Sequence, residues 1–422
     1  MLIEFSVTNF RSIRERQTLS MVAAPRLAKR ENVFVPTVKG EKVPPLLKVA
    51  AIYGPNASGK SSLFMAFEMF GRFIALKPDA RLRRLPVSGF RFDPDLAQAP
   101  SRFEVHFIQN EQRYEFSISA TQERIIEERL ISFPEGKETI LYCRKHIDGK
   151  DDYEFGDNLD GGDLLHDTWR SLTGPQVLFL SQAVANSNEN LLQLREPFEW
   201  LSSYITMDSE KIRNWVRVTK DFVGENYWAG EKISDYLEKI DIPVTKIEVT
   251  GPTESEIHDV SSESRSALKD FVNMRTDGRQ MTLTHQTALG EAEFDLDEES
   301  SGTKSLIGFW LPWFAFSSTL NSARRLLWVD ELDSSLHPEL VVQLIRQLVE
   351  TDKGAQLIFT THDTHLMNAK LLRRDQFWIA ERDVNGATRL TSIHDFEGRE
   401  GEDVEKRYFE GRYRGLPIIK TR

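Results

Sequence analysis

The stretch GPNASGKS, Gly54 to Ser61, matches GxxxxGKS and falls between the apolar run LLKVAAIYG and the helically spaced run SSLFMAFEMFGRFIAL. A strand, a glycine-rich loop and a helix in that order turn successive backbone N–H groups and the positive helix end towards one point, which suits a chain of phosphates. In this arrangement Lys60 reaches the β- and γ-phosphates and the Ser61 hydroxyl ligates Mg²⁺. Gly54, Asn56, Ser58, Gly59 and Ser62 complete the same phosphate-binding loop. The chemistry expected is that of a nucleoside triphosphate.

Such a site also needs a carboxylate on Mg²⁺ at the tip of a neighbouring buried strand. RLLWVDEL supplies Asp330 after four apolar residues, and Glu331 follows directly. Adjacent side chains on a strand point to opposite faces, but where the strand ends the chain turns. Asp330 can then serve the metal while Glu331 polarises the attacking water. The apolar run implies burial, where an unpaired charge is costly, so a merely solvated turn is the poorer reading. Two further polar groups end apolar runs. His362, after LIFTT, is expected near the γ-phosphate as a neutral imidazole that senses it and helps to hold water. Gln182, after VLFLS, is expected to bridge the metal and that water.

The elements around these residues read as α/β. LIEFSVTNF alternates as a strand; RFEVHFIQ, RYEFSISA, ERLISF and ETILYC predict an antiparallel meander; VLFLSQ predicts another short buried strand. Helical spacing follows in LLQLREPFEWLSSYI and KIRNWVRVTKDFV, then a strand in IPVTKIEVT, and a polar loop over ESEIHDVSSES, 254–264, the best candidate for local disorder. The C-terminal part alternates again: LIGFWLPWFAF as a buried helix, RRLLWVDE as a strand, ELVVQLIRQLVE as a helix, AQLIFTTHD and DQFWIAE as strands. A mostly parallel sheet with covering helices is expected. The predicted division is residues 1–182, a mainly helical insertion over 183–290, and 291–422.

Composition narrows the class. The net charge is −11, from 54 basic and 65 acidic residues, which argues against a uniformly basic surface coating DNA. It leaves room for a local basic patch at Arg81, Arg83 and Arg84 or at Arg373 and Arg374. The single cysteine, Cys143, excludes a disulfide framework. No signal peptide or membrane span is read, so the expected location is the cytoplasm.

NFRSI, GPNASGKSS, VLFLSQ, ESSGTKSL, LLWVDELDSSLHP and IFTTHD, in this order, resemble the P-loop ATPase head of the ABC, SMC and RecF group. RDQFWIAERDVNGATRLTSIHDF with EKRYFEGRYRGLPII narrows the resemblance to bacterial AAA-family ATPases of the abortive-infection, RloA-like phage-defence type, although Arg414 and Gly415 depart from the usual tail. The resemblance covers roughly residues 1 to 70 and 290 to 420. It implies an ABC-type head with an antiparallel β subdomain and a mostly helical insertion, binding and hydrolysing ATP with Mg²⁺. Glu331 and His362 would be catalytic, joined by Gln182, which also joins Ser61 and Asp330 at the metal. ESSGT would be the signature loop: Ser301 and the Gly302 N–H would contact the γ-phosphate held by Lys60 of a second copy, in a homodimer or larger homo-oligomer. A helix opening at SGTKSL suits an anion, and a plain serine cap before a core helix is compatible with it. Asp333 to Leu336 resemble the loop that crosses such an interface. Arg11 would lie by the phosphates, the alternative being a surface salt bridge.

Fewer than 120 residues without heptads separate Gln182 from Ser301, which excludes the long coiled-coil arms of DNA-tethering relatives. Only 60 residues follow His362, and they read as closing the ATPase sheet, so a nuclease effector is expected on a separate chain. The expectation is an ATP-hydrolysing subunit of a multi-gene anti-phage system. Two alternatives remain: a RecF-like repair ATPase that clamps DNA, and an ATP-binding scaffold with little turnover.

Overall fold

The computed structural model describes residues 1–77, 84–251, 279–317, 326–334, 336–351, 354–367, 371–398 and 401–416. Arg81, Arg83 and the expected loop at 254–264 lie outside them. The chain forms two compact units. The first comprises Met1–Thr206, Thr319–Leu332 and Val342–Arg422; the second comprises Met207–Ser318 and Asp333–Val341. This division does not follow the expected boundaries at 182 and 290, because 183–206 stays with the first unit and the helix opening at Ser301 belongs to the second.

The first unit holds two large sheets. One is antiparallel, in the order β10-β9-β8-β7-β6-β1-β2. Its strands are β1 (Leu2–Thr8), β2 (Gln17–Ser20), β6 (Ser101–Gln109), β7 (Gln112–Ala120), β8 (Ile125–Ser132), β9 (Thr139–Ile147) and β10 (Lys150–Phe155). This is the expected meander, closed by the N-terminal strand pair. The other sheet runs β11-β15-β16-β5-β17-β18. It contains β5 (Val49–Tyr53), β11 (Ile205–Met207), β15 (Leu326–Val329), β16 (Gln356–Thr360), β17 (Phe377–Arg382) and β18 (Thr388–Ser392). Its β15, β16, β5 and β17 are mutually parallel, and β18 returns antiparallel. A short pair, β3 (Val33–Phe34) and β4 (Leu46–Leu47), forms a two-stranded sheet of its own.

Helix α1 (Lys60–Ala75) joins the two sheets because its apolar residues recur at helical spacing and are buried nearly all round. Phe67 meets Phe5 of β1 edge-on at 5.3 Å and Trp328 of β15 at 4.9 Å. A buried amide ties the sheets as well: Gln356 accepts from Leu2 N at 2.6 Å and donates to Leu2 O at 2.9 Å. Four further helices of this unit are α2 (Pro94–Gln98), α3 (Gly162–Leu172), α4 (Phe179–Ala185) and α5 (Arg195–Ser203). The expected strand at VLFLSQ is therefore a correction, since those residues enter α4. Glu128 of β8, wholly buried, accepts from Phe179 N at 2.7 Å and Leu180 N at 2.9 Å, capping the N-terminus of α4 from across the fold.

The second unit packs α6 (Ser209–Glu225), α7 (Tyr227–Glu238) and α8 (Ser301–Ser317) with an antiparallel sheet of β12 (Val244–Thr250), β13 (Gln280–Thr287) and β14 (Gly290–Asp295). It thus carries a sheet as well as the expected helices. Gly308 of α8 allows the close approach of α6, since a Cβ there would stand 2.4 Å from Ile212 O. Leu306, Ile307, Phe309, Trp310, Trp313 and Phe316 of α8 are buried, as expected for LIGFWLPWFAF. Helix α9 (Pro338–Glu350) begins in the second unit and passes to the first at Val342, and α10 (Val404–Phe409) belongs to the first unit. Among the described residues no helix is long and apolar enough to cross a membrane.

Candidate nucleotide site

The loop between β5 and α1 is shaped by backbone that only small residues tolerate. Gly54 and Gly59 lie at φ 151° and 101°, and Ala57 at φ 63°. A Cβ on Gly54 would come 2.1 Å from Ala380 O of β17, and one on Gly59 would come 1.9 Å from Thr388 Oγ1 of β18. Gly59 stands at the N-cap of α1 without a side-chain cap, so the first N–H groups of the helix are not taken by a capping side chain. Ser58 is buried, and its hydroxyl has no hydrogen-bond partner among the described residues. Asn56 and Ala57 are exposed at the tip of the loop, and Ser61 and Ser62 are half-buried in the first turn of α1.

Lys60 is 6% exposed, which for an ammonium requires partners. Its Nζ donates to Gly54 O at 2.8 Å and Pro55 O at 3.3 Å, and lies 3.2 Å from His362 Nε2. An ammonium can only donate, so Nε2 accepts and the imidazole proton sits on Nδ1. His362 thus stands just past the tip of β16, as expected, and meets the loop lysine directly.

The carboxylate pair is organised by a residue that the sequence reading passed over. Thr360, the last residue of β16 and wholly buried, donates from Oγ1 to Asp330 Oδ1 at 2.6 Å and accepts from Glu331 N at 2.7 Å. Asp330 follows the wholly buried LLWV of β15. Glu331 is exposed and adopts φ 54°. A residue with a Cβ reaches the left-handed region at a cost, and such positions concentrate at functional sites. The turn after β15 thus separates the two carboxylates, one held by Thr360 and one exposed.

Two more residues not foreseen clamp the loop. Ser12, at the tip of the β1–β2 hairpin, donates to Ser62 Oγ at 2.9 Å, and the single proton of Thr388 Oγ1 is shared between Ser12 Oγ at 2.8 Å and Ser58 O at 2.9 Å. Ser12 stands in the NFRSI motif, which was a usable signal. Thr388 lies 330 residues from Ser58 and carried none. Arg11, beside Ser12, has φ 53°, and its exposed side chain makes no hydrogen bond or ion pair among the described residues, so the surface salt bridge weighed as its alternative is not formed. Its backbone N–H donates to Ser88 O at 2.7 Å.

Gln182 is not brought to this cluster. It is buried on α4, where the neighbouring Ser181 donates to Ile74 O at 3.3 Å, near the far end of α1. At about 1.5 Å rise per residue, that end lies about 20 Å from Lys60. Its expected roles at the metal and in catalysis are withdrawn. Arg373 and Arg374 are likewise no basic patch: 6% and 9% exposed, they are taken up by Asp375 at 2.7 Å and by the carbonyl of Ile393 at 3.1 Å.

In the second unit, Ser301 and Gly302 open α8 and are exposed. Ser300, just before them, caps the helix by accepting from Thr303 N at 3.1 Å. A Cβ on Gly302 would meet nothing closer than Ser300 Oγ at 3.6 Å, so internal packing does not demand that glycine. Leu332–Ser334 form one 3-10 turn.

One other group of ligand-type atoms exists among the described residues, at Glu104, His106 and Glu115 on adjacent strands β6 and β7. Arg16 already holds Glu104 at 2.6 Å and Arg102 approaches it at 3.4 Å. Their charges neutralise what a cation would need, and the cluster reads as an ion-pair ladder.

Among solved structures, the SMC head domain from Thermotoga maritima is 14% identical, with coverage of 93% of this chain and 98% of that one and a TM-score of 0.40. An SmcHead bound to the C-winged helix domain of ScpA is 13% identical, covers 93% and 97%, and has a TM-score of 0.42. A Smc head with an extended coiled coil, bound to the C-terminal domain of ScpA derived from Pyrococcus furiosus, is 12% identical, covers 97% and 98%, and has a TM-score of 0.40. A search of curated proteins gives no match. A protein-family comparison matches residues 49–368, a span that runs from the first residue of β5 past His362 and takes in the loop, the carboxylate pair and α8. The chain belongs to the family described as "AAA domain, putative AbiEii toxin, Type IV TA system".

Proposed function

We propose that the chain binds ATP at the Gly54–Ser62 loop and hydrolyses it, and that two copies close around nucleotide to control a separately encoded effector of nuclease type in anti-phage defence. The observation that carries the catalytic part is Thr360, whose one hydroxyl holds Asp330 and seats the backbone of Glu331. That arrangement supports different tasks for the two adjacent carboxylates. Ser61 and Asp330 would hold Mg²⁺, and the hydroxyl and carboxylate donor set suits that hard cation. When bound, Mg²⁺ offsets the charge of the phosphates. Lys60 binds the phosphate chain, exchanging the Gly54 and Pro55 carbonyls for phosphate oxygens. Glu331 accepts the proton of the attacking water, and His362, neutral and already beside Lys60, orients that water.

Ser301 and Gly302 are proposed to act on the nucleotide of the second copy, which their exposure at an uncrowded helix start supports. The defence role is supported by the family description, which names a putative toxin of a type IV toxin–antitoxin system. The test is Glu331→Gln. It should keep ATP binding, slow turnover by at least about a hundredfold, and accumulate as an ATP-locked dimer or larger assembly in light scattering. Wild-type turnover in that variant would remove Glu331 from the mechanism.

A further inference from the structure

Phe92 exposes 70% of its surface although its segment is anchored on both sides. Asp93, next to it, caps α2 by accepting from Asp95 N and Leu96 N and pairs with Arg14 at 3.1 Å. Phe90, two residues earlier, is buried, and its N–H donates to Asn9 Oδ1 at 2.9 Å. The ring is therefore presented to solvent from a fixed backbone.

Its surroundings connect it to the phosphate loop. The Arg382 guanidinium lies over the Phe92 ring, 5.6 Å from its centroid. Arg382 pairs across β17 and β18 with Thr388, and cross-strand partners share one face of their hairpin. Thr388 uses that face to grip Ser58 O and to close on Gly59. One face of one hairpin thus holds the loop with Thr388 and the exposed ring with Arg382. Arg11, the exposed cation beside the loop, is tied by its N–H to Ser88 in the segment that carries Phe92.

We propose that Phe92, backed by Arg382, is the platform on which the nucleobase stacks. This assignment rests on the nucleotide reading above and names the specificity-determining residue of that site. A flat π-face flanked by a guanidinium is a chemically suited base receptor, and the rigid seat lowers the cost of binding. The platform gives a nucleotide affinity that bare phosphates cannot share.

The experiment titrates the full chain calorimetrically with ATP and with inorganic tripolyphosphate, each with Mg²⁺, in wild type, Phe92→Ala, Phe92→Trp and Lys60→Ala. Stacking on one aromatic ring predicts that Phe92→Ala loses roughly tenfold in ATP affinity and nothing in tripolyphosphate affinity. Phe92→Trp should retain ATP binding, and the fluorescence it adds should be quenched by ATP but not by tripolyphosphate. Unchanged ATP affinity in Phe92→Ala, or an equal loss for both ligands, overturns the platform. If Lys60→Ala still loses tripolyphosphate in that case, the phosphate site stands and only the base assignment falls. Binding of neither ligand by the wild type overturns both readings.

Discussion

Glu128, Arg144 and Asp151 sit inside regular strands of the antiparallel sheet, whereas Asp330, Glu331 and His362 sit just past the ends of parallel strands. In the first set every charge is spent on the fold. Arg144, 1% exposed, faces Glu128 at 3.9 Å, holds Asp151 at 2.7 Å, and donates to Val177 O at 2.8 Å and Gly174 O at 3.0 Å. Glu128 also accepts from Tyr142 at 2.7 Å and caps α4. Burial pushes the Glu128 pKa up, while Arg144 and these donors pull it back. In the second set Glu331 and His362 are exposed, Glu331 at a left-handed φ, and one buried threonine positions the carboxylates. The same residue types are enclosed and matched inside the antiparallel sheet, whereas at the strand ends they stand open, Glu331 on left-handed backbone, as the proposed chemistry would need.

The sharpest way to break that contrast is Arg144→Met. It leaves the wholly buried Glu128 without its cation, while the half-buried Asp151 keeps Arg124 and His146, so it should cost about 3–5 kcal/mol in chemical denaturation. ATP affinity per folded molecule, measured by titration at low temperature, should stay within about twofold of wild type, a change of under ~0.5 kcal/mol. A stability loss below about 1 kcal/mol would mean that the enclosed set is not architectural. Loss of ATP binding in the folded fraction would mean that the two sets are not separate.

Thr360→Val probes the other side with a smaller effect. It keeps the shape and removes the hydroxyl, leaving the Glu331 N–H and the Asp330 carboxylate without that contact. The expected cost is about 1 kcal/mol of stability and roughly a tenfold loss of ATP turnover, with ATP affinity nearly unchanged. Thr360→Ser should restore turnover. Equal turnover in the valine and serine variants would deny the hydroxyl its positioning role.

The strand, loop and helix around Lys60, and the strand ends at Asp330 and His362, were legible because each is encoded within about ten consecutive residues, where apolar period and loop composition act locally. VLFLSQ was misjudged for a physical reason: a short apolar run fits a buried helix as well as a strand, and the deciding cap, Glu128, lies 51 residues upstream. Gln182 went astray with it. Arg373 and Arg374 left room for a local basic patch, but Asp375 and distant carbonyls enclose them. Ser12 and Thr388 reach the loop only through tertiary contact. Local pattern announces where a charge can stand, and long-range partners decide whether it is exposed or enclosed.

Glu104 offers the finest test, because it is enclosed yet lies at the edge of solvent. The bond from His106 and the charge of Arg16 hold its pKa well below the ordinary carboxylate range, at about 2. A folded-state pKa below the unfolded one contributes stability that is present above the unfolded value, 4.5, and is lost as pH falls towards about 2. Glu104→Gln removes the charge at every pH. It should therefore melt below the wild type at pH 7, and the gap should narrow steadily between pH 4.5 and pH 2, where the wild-type carboxyl takes up its proton. Arg16 is half-exposed, so solvent screens part of the attraction, and the effect should be smaller than that of Thr360→Val. Melting curves of both proteins across that range measure it. A gap that stayed constant with pH would trace the loss to altered packing, and Glu104 would then be an ordinary polar residue of the sheet, outside the set of matched charges that shapes this half of the unit.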